Sequence, residues 1–593
     1  MELSSFFTEE DSSNTKQAEL IWKNITLKTE KKKVLLNGVD GKIEPGTMVA
    51  LMGSSGAGKT TLLNSLTGRI PSNLNLTGEI LVNGRPRTNE SWSNTSAYVS
   101  QTFYAYENQT VKETLQFVSR IKKSKEKSPD YDEDAFIRNL LSVLRLQNVQ
   151  ESYVGKLSGG ERIRLSVGLE LIGNPSLLFL DEPLSGLDST NATKILEFLH
   201  GLAKAGKTLI VTIHQPSYKM IQFFDKIYLM AQGGLVFDGT CCDCIDFFAE
   251  NGYPLPHHTN PTDHFLDTTA VDPEEEAESR RRIDSLKEAW IRRSKSYEIT
   301  TDAPLGVVSD QNGCLRRPVF VDILRRNLVD IRRNTPYLKT KTLQRVVISA
   351  LLSVTYWFVG KKSPVSVYSF RGILTFLVMN ELFGICGPIF NIFKQEQRVI
   401  LRERQSGFYS GYTVYLARFV SEMTVLLLLE IPYLTAVYVF TGFFDSFPRY
   451  IVFMLILVCE IMFGVSLGLT VSIVAPTANT AQALGATLSI LFILYSAAFI
   501  SPGDLPGWIS WLIYLSPVHY AFRAAVQTQS QGKKFTFEES NSPVISSDEL
   551  VTSFGLDGLN TPICIMMMIV FTTLMGVLGS VTLHYQTRNK IVS

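Results

Sequence analysis

Charge imbalance is absent from this sequence: 57 lysines and arginines stand against 56 aspartates and glutamates, a net of +1. Global electrostatics gives no reason to expect a nucleic-acid partner. Cysteine is scarce, seven in 593 residues. The one cluster, Cys241, Cys242 and Cys244, lacks the paired spacing of a zinc site and reads as reduced cytosolic thiols. The stretch from Met1 to Asp11 is acidic, with no basic segment leading into an apolar run. A cleavable signal peptide is therefore not expected, and the N-terminal part is expected in the cytosol. Collagen, heptad and solenoid repeats are missing. The length suits about two to four domains. Hydrophobic residues reach 45%, unevenly spread: roughly the first half reads as soluble, and the rest carries runs long enough for membrane spans.

Residues 47–52, Thr-Met-Val-Ala-Leu-Met, form a β-compatible apolar run, and Gly53, Ser54, Ser55, Gly56, Ala57, Gly58, Lys59 and Thr60 follow at once. Thr61 opens a stretch with helical spacing. Strand, G-x-x-x-x-G-K-[ST] loop and helix in that order make a phosphate cradle. The glycines let backbone N–H groups wrap the phosphates, Lys59 reaches the β and γ phosphates, and Thr60 can hold Mg²⁺. The helix N-terminus adds positive potential at the same spot.

A second element is Leu177-Leu-Phe-Leu-Asp181-Glu182-Pro183. An apolar strand ending in two carboxylates is a poor structural choice, because ionised groups near a core need partners. Asp181 reads as a Mg²⁺ residue acting through water, and Glu182 as the group that orients and polarises the water attacking the γ-phosphate.

Between these elements lies Leu157-Ser158-Gly159-Gly160-Glu161, a glycine pair opening a helix over 162–171. With it, the sequence resembles the ABC transporters. The resemblance implies that Ser158, Gly159 and Gly160 bind the γ-phosphate of ATP held by an opposite protomer. It further implies that Gln101 senses Mg²⁺ and γ-phosphate, that Asp188 bridges protomers and that His214 contacts the γ-phosphate. His214-Gln-Pro-Ser217 and Asn260-Pro-Thr-Asp-His-Phe-Leu-Asp267 resemble the White-type, or G, subfamily, in which the ATPase domain precedes the membrane domain. One departure stands out. Where the family places an aromatic to stack on adenine, this chain aligns Leu27, and losing base stacking costs ~1–3 kcal/mol. Weak discrimination between ATP and GTP is the expectation.

The expected fold class is an α/β P-loop ATPase domain, a RecA-like core with a helical subdomain, followed by an all-α six-helix transmembrane domain. The expected limits are 1–271 for the ATPase domain, 272–316 for a charged linker, 317–335 for an amphipathic elbow helix and 336–593 for the membrane domain. Phe320, Leu324, Leu328 and Ile331 share one face of the elbow, which can lie along the inner membrane surface. Expected spans are 341–360, 371–393, 414–441 (with a possible break at Pro432), 450–474, 480–501 and 562–585. The approach to span one, with Lys341 and Arg345, the loop after span two, with Arg402 and Arg418, and the end of span six are basic. The positive-inside rule puts these sides, and both termini, in the cytosol. The loop from Gln395 to Arg404 suits a cytosolic helical hairpin that, by resemblance, transmits ATPase closure. Residues 502–561 hold no cysteine, begin with an apolar stretch and look like the subfamily's re-entrant external segment.

By the same resemblance, spans two and five of two protomers form a transport cavity, lined here by Asn380, Glu381, Phe383 and Gly384, and by Ala497, Ala498 and Phe499. Intramembrane carboxylates are costly and generally face a cavity or a partner. Glu381 is thus a candidate for a cationic or polar-headed substrate, with internal packing as the alternative; Glu460 is a second case. The expected protein is an ATP-hydrolysing half-transporter with ATP and Mg²⁺ as cofactors. It would dimerise with a copy of itself or a sister half and move a hydrophobic or amphipathic small molecule among membrane lipids, outward as the resemblance implies. A soluble ABC-type ATPase and an ATP-gated channel are the rival classes.

Overall fold

The computed structural model describes residues 18–71, 73–87, 92, 95–123, 132–294, 319–537 and 544–592. The acidic stretch before residue 18 and linker residues 295–318 lie outside them. Contacts divide the chain into two units. One holds the described residues up to 294 with Arg402–Phe408, and the other runs from Val319 to Leu401 and from Tyr409 to Thr587.

In the first unit, strands β1 (Leu20–Thr29), β2 (Val34–Ile43), β4 (Leu74–Val82) and β5 (Arg85–Pro86) form an antiparallel sheet in the order β2-β1-β4-β5. A six-stranded sheet carries the phosphate loop. Its order is β10-β9-β3-β8-β7-β6, from β3 (Met48–Gly53), β6 (Ser96–Val99), β7 (Leu177–Leu180), β8 (Thr208–Thr212), β9 (Lys226–Ala231) and β10 (Gly234–Gly239). All its pairings are parallel except β9 with β10. Strands β3, β7 and β8 are buried along their whole length, as central parallel strands covered on both faces must be. Helix α1 (Lys59–Thr67) follows β3, and α2 (Val111–Lys123), α3 (Glu133–Val143) and α4 (Gly159–Leu171) come before β7. Strand β8 separates β3 from β7, so the loops leaving all three open at one sheet edge. That edge holds the site.

Helix α5 (Ser189–Lys204) follows β7, and α6 (Cys241–Glu250) and α7 (Pro261–Thr269) follow β10. Residues Glu276–Arg293, expected to be part of the charged linker, form α8, which buries Ile283, Leu286 and Trp290. The Trp290 ring stands 4.9 Å from Phe237 and 5.8 Å from Phe247. Burying a large aromatic stabilises such docking by about 1.5–3 kcal/mol, enough to hold a highly charged helix to the unit.

The second unit is helical: α9 (Val319–Arg333), α10 (Thr335–Thr355), α11 (Val367–Gln405), α12 (Gly411–Phe440), α13 (Phe447–Val474), α14 (Ala478–Leu494), α15 (Pro517–Ser530) and α16 (Thr561–Val592). Among the described residues five helices are long and apolar enough to cross a membrane, and α14 is a shorter apolar sixth. Four expectations change. First, α12 runs unbroken through Pro432. Second, α11 continues as helix to Gln405, so residues 395–404 extend a span instead of forming a separate hairpin. Third, α14 stops at Leu494, not 501. Ala497 turns to φ 68°, and Arg371 donates to the freed carbonyls of Ala498 (2.8 Å) and Ala497 (3.3 Å). Those bonds satisfy backbone acceptors of the irregular turn that follows the helix. Fourth, the elbow buries Ile323, Arg326, Asn327, Asp330 and Ile331; Phe320, Leu324 and Leu328 are only half-buried.

Candidate nucleotide site

The phosphate loop joins β3 to α1, and its backbone explains its glycines. Gly58, the N-cap of α1, has φ 100°, where a side chain is strained. A Cβ there would also stand 3.1 Å from Leu36. Lys59 is buried, and its ammonium donates to the carbonyls of Gly53 (2.7 Å) and Ser54 (3.1 Å). Burial pulls this lysine below its ordinary range, while the carboxylates of Glu182 and Asp181 oppose the shift. Ser54, Ser55, Gly56 and Thr61 lie on the same loop and first turn, and Ala57 is buried beneath it.

Strand β7 delivers Asp181 and Glu182 to this edge. Asp181 Oδ1 accepts from the hydroxyls of Thr60 (3.2 Å) and Thr212 (2.9 Å), and Oδ2 accepts from Tyr98 (3.1 Å). Glu182 follows in the left-handed region, φ 44°, its N–H bonded to the Thr212 hydroxyl at 2.6 Å. Gln101 Nε2 donates to Glu182 Oε2 at 2.8 Å. Thus Lys59, Thr60, Gln101, Asp181 and Glu182 are brought together from three loops. His214 is exposed two residues past the end of β8.

Ser158, Gly159 and Gly160 do not join them: no hydrogen bond links these residues to 53–61. Ser158 instead caps α4, its hydroxyl and N–H both donating to Glu161 Oε2 at 2.7 and 2.9 Å. Ser158 and Gly159 are exposed. Asp188, exposed, caps α5 and accepts from Asn191 Nδ2 at 2.6 Å and Asn191 N at 3.2 Å. The Asn191 side chain, then its backbone, hold the Asp188 carboxyl below its usual range.

Thr60 and Asp181 supply oxygen donors, the set that suits Mg²⁺. Among the described residues no group of three His, Cys, Asp or Glu could hold an ion alone. Two donors beside a phosphate loop fit an ion that arrives with phosphates. Two residues of this site, Tyr98 and Thr212, have no role in the sequence reading. Leu27, on β1, is 1% exposed and packs in the hydrophobic core, where it cannot offer a face to a base. Val34, two positions before Leu36 on β2, is exposed.

In the helical unit, Glu381 does not line a cavity. It is 0% exposed, and Arg345 Nη1 reaches its Oε1 at 3.3 Å. The same guanidinium reaches Glu430 Oε1 at 2.6 Å. Asn380 donates to Glu381 (3.1 Å) and to the Tyr433 hydroxyl (3.2 Å). Lys341 Nζ donates to the Gly384 carbonyl, and a Cβ on Gly384 would stand 3.0 Å from Arg345 Nη2. Glycine here lets the arginine pass. Arg418 sits likewise between Glu396 (3.2 Å) and Glu422 (2.8 Å). Phe383 is exposed, and Ala498 and Phe499 line a groove of about 370 Å³ with Tyr368, Phe376 and Met379.

Comparison with known proteins gives these features a family. Residues 36–185 match the model for ABC transporters, and residues 319–530 match that for ABC-2 type transporters. The chain is 30% identical to ABC transporter G family member 7 of Arabidopsis thaliana, over 88% of this chain and 75% of that protein. It is also 30% identical to Protein white of Drosophila melanogaster, over 83% of this chain and 74% of that one. A solved ATP-binding cassette of an ABC transporter, in its ADP conformation, matches over 38% of this chain and 92% of its own length, at 23% identity and TM-score 0.33. A P-loop ATPase followed by an ABC-2 membrane domain defines an ABC transporter, an ATPase coupled to movement across a membrane. The chain belongs to the G family of these transporters, which includes White.

Proposed function

We propose that the protein is a half-transporter whose two ATP sites form only between two chains. Lys59, the 53–61 loop and Thr61 hold the phosphates of one ATP, and Ser158, Gly159 and Gly160 of a second chain close over its γ-phosphate, with Asp188 bridging the two. The observation that carries this reading is the separation within one chain. Thr60, Asp181, Glu182 and Gln101 share one hydrogen-bonded cluster at Lys59, while Ser158 and Gly159 are exposed and have no bond to it.

Thr60, Asp181 and Gln101 would hold Mg²⁺, which when bound neutralises developing phosphate charge. Glu182, fixed by Gln101 and by the Thr212 hydroxyl, orients and polarises the attacking water, and His214 contacts the γ-phosphate. ATP-driven closure then acts on the helical unit, moving a hydrophobic or amphipathic small molecule, a lipid or sterol in character, outward from the cytosol. Both termini and the ATPase unit lie in the cytosol, and residues 502–561 face outside. The apolar lining of the groove at Tyr368, Phe376 and Phe499 supports such a substrate, since ligand sites are mostly apolar with few polar anchors.

Reconstituted protein in sealed vesicles tests the reading. ATP-dependent accumulation of a labelled amphipathic lipid or sterol is expected with ATP on the ATPase side; hydrolysis with no accumulation of any such molecule would contradict it.

A further inference from the structure

Asp181 is only 7% exposed, yet no lysine, arginine or histidine pairs with it within 4.0 Å among the described residues. Hydroxyls hold it instead. Thr60 and Thr212 share Oδ1, and Tyr98 alone takes Oδ2 at 3.1 Å. Tyr98 lies on β6, in register with Phe179 of β7, so its ring reaches along the sheet toward the end of the neighbouring strand. The ring is itself held: the Arg69 guanidinium carbon stands 4.2 Å from its centroid.

Hydroxyl donors have a consequence that a cation would not. An arginine at Oδ2 would fix the carboxylate but also neutralise it, and its attraction for a divalent ion would fall. A phenol fixes the orientation and leaves the charge.

We propose that Tyr98, steadied by Arg69, is a positioning residue for Asp181, setting the rotation in which that carboxylate supports nucleotide-bound Mg²⁺. The proposal rests on the reading of Asp181 as the Mg²⁺ residue. It concerns the metal-dependent part of nucleotide affinity, not phosphate binding by the loop.

The test is AMP-PNP binding to the full-length protein in detergent, measured once with Mg²⁺ and once with EDTA, for wild type, Tyr98→Phe and Asp181→Asn. The ratio of the two affinities is the readout. Tyr98→Phe is expected to lower the ratio about tenfold, the worth of one hydrogen bond to a charged group, with affinity in EDTA unchanged. Arg69→Met, which leaves the hydroxyl in place, is expected to lower the ratio less, and to have no further effect in the Tyr98→Phe background. An unchanged ratio in Tyr98→Phe overturns the inference, as does an equal loss with and without Mg²⁺, which would mark Tyr98 as merely structural. Asp181→Asn separates the two levels. If it lowers the ratio while Tyr98→Phe does not, only the inference fails; if it leaves the ratio intact, the reading of Asp181 fails and takes the inference with it.

Discussion

Gln101 and Glu182 meet across 81 positions of sequence, the amide Nε2 donating to the carboxylate Oε2 at 2.8 Å. The bond ties the loop after β6 to the end of β7 and holds Glu182 as an acceptor. Its other oxygen is left for a water proton. Replacing Glu182 with Gln keeps the shape and removes the acceptor charge. Turnover is expected to fall ~10²–10⁴-fold, the span for loss of a general base, with ATP binding retained. Steady-state ATPase and equilibrium nucleotide binding on the same sample decide this; near-normal turnover would remove Glu182 from the role.

Thr212 links both acidic residues, since its hydroxyl donates to Asp181 Oδ1 and accepts from the Glu182 N–H. Thr212→Val conserves volume but leaves that N–H and part of the carboxylate unpaired. A cost of about 1–3 kcal/mol is expected, divided between stability and catalysis. Thermal unfolding and kcat together should both drop. A variant with wild-type melting and turnover would show that the bridge does not matter.

Much of the nucleotide site was legible because its chemistry lies in contiguous runs. Gly53–Thr60 and Asp181–Glu182 each declare themselves within a few residues. Tyr98 and Thr212 do not, because their roles arise from strands paired side by side, 83 and 31 positions from Asp181. In the membrane unit the failure has a different cause. A carboxylate in an apolar run says that a partner or cavity is needed and not which one. Arg345 read as a charge flanking span one, and only the packing of α10 against α11 and α12 turns it into the partner of Glu381 and Glu430. Lys341 and Arg418 were likewise counted as flanking charges and are buried. The Pro432 expectation failed because a proline can be carried within a helix when packing compensates for the lost bond.

The Arg345 cluster makes its own prediction. Removing one partner of a buried ion cluster leaves uncompensated charge and costs about 3–5 kcal/mol, whereas removing the whole cluster is far milder. Arg345→Met should therefore unfold at lower temperature in lipid nanodiscs, and Arg345→Met with Glu381→Gln and Glu430→Gln should recover much of the loss. Glu381→Gln alone should leave the pattern of substrate-stimulated ATPase unchanged, because the side chain reaches no groove. A single Arg345→Met variant as stable as wild type would contradict the cluster's role.

Leu27 gives a fourth prediction, of opposite kind to its sequence reading. Leu27→Ala should destabilise the ATPase unit by about 2–5 kcal/mol, as for other buried leucines, with the ATP-to-GTP preference unaltered. Denaturant unfolding and nucleotide competition measure the two separately. A changed preference without lost stability would restore Leu27 to the base-binding surface.

The most direct test of the two-chain site is complementation. Lys59→Met disables the phosphate loop, and Ser158→Arg blocks the closing motif; each variant alone should be inactive. Co-expressed and purified together through two different tags, they contain one composite site with Lys59 from one chain and Ser158 from the other, both intact. ATPase activity should return in that mixed preparation. If it stays as inactive as either variant alone, while wild type prepared the same way is active, Ser158 does not act across the dimer and the account of the site is wrong.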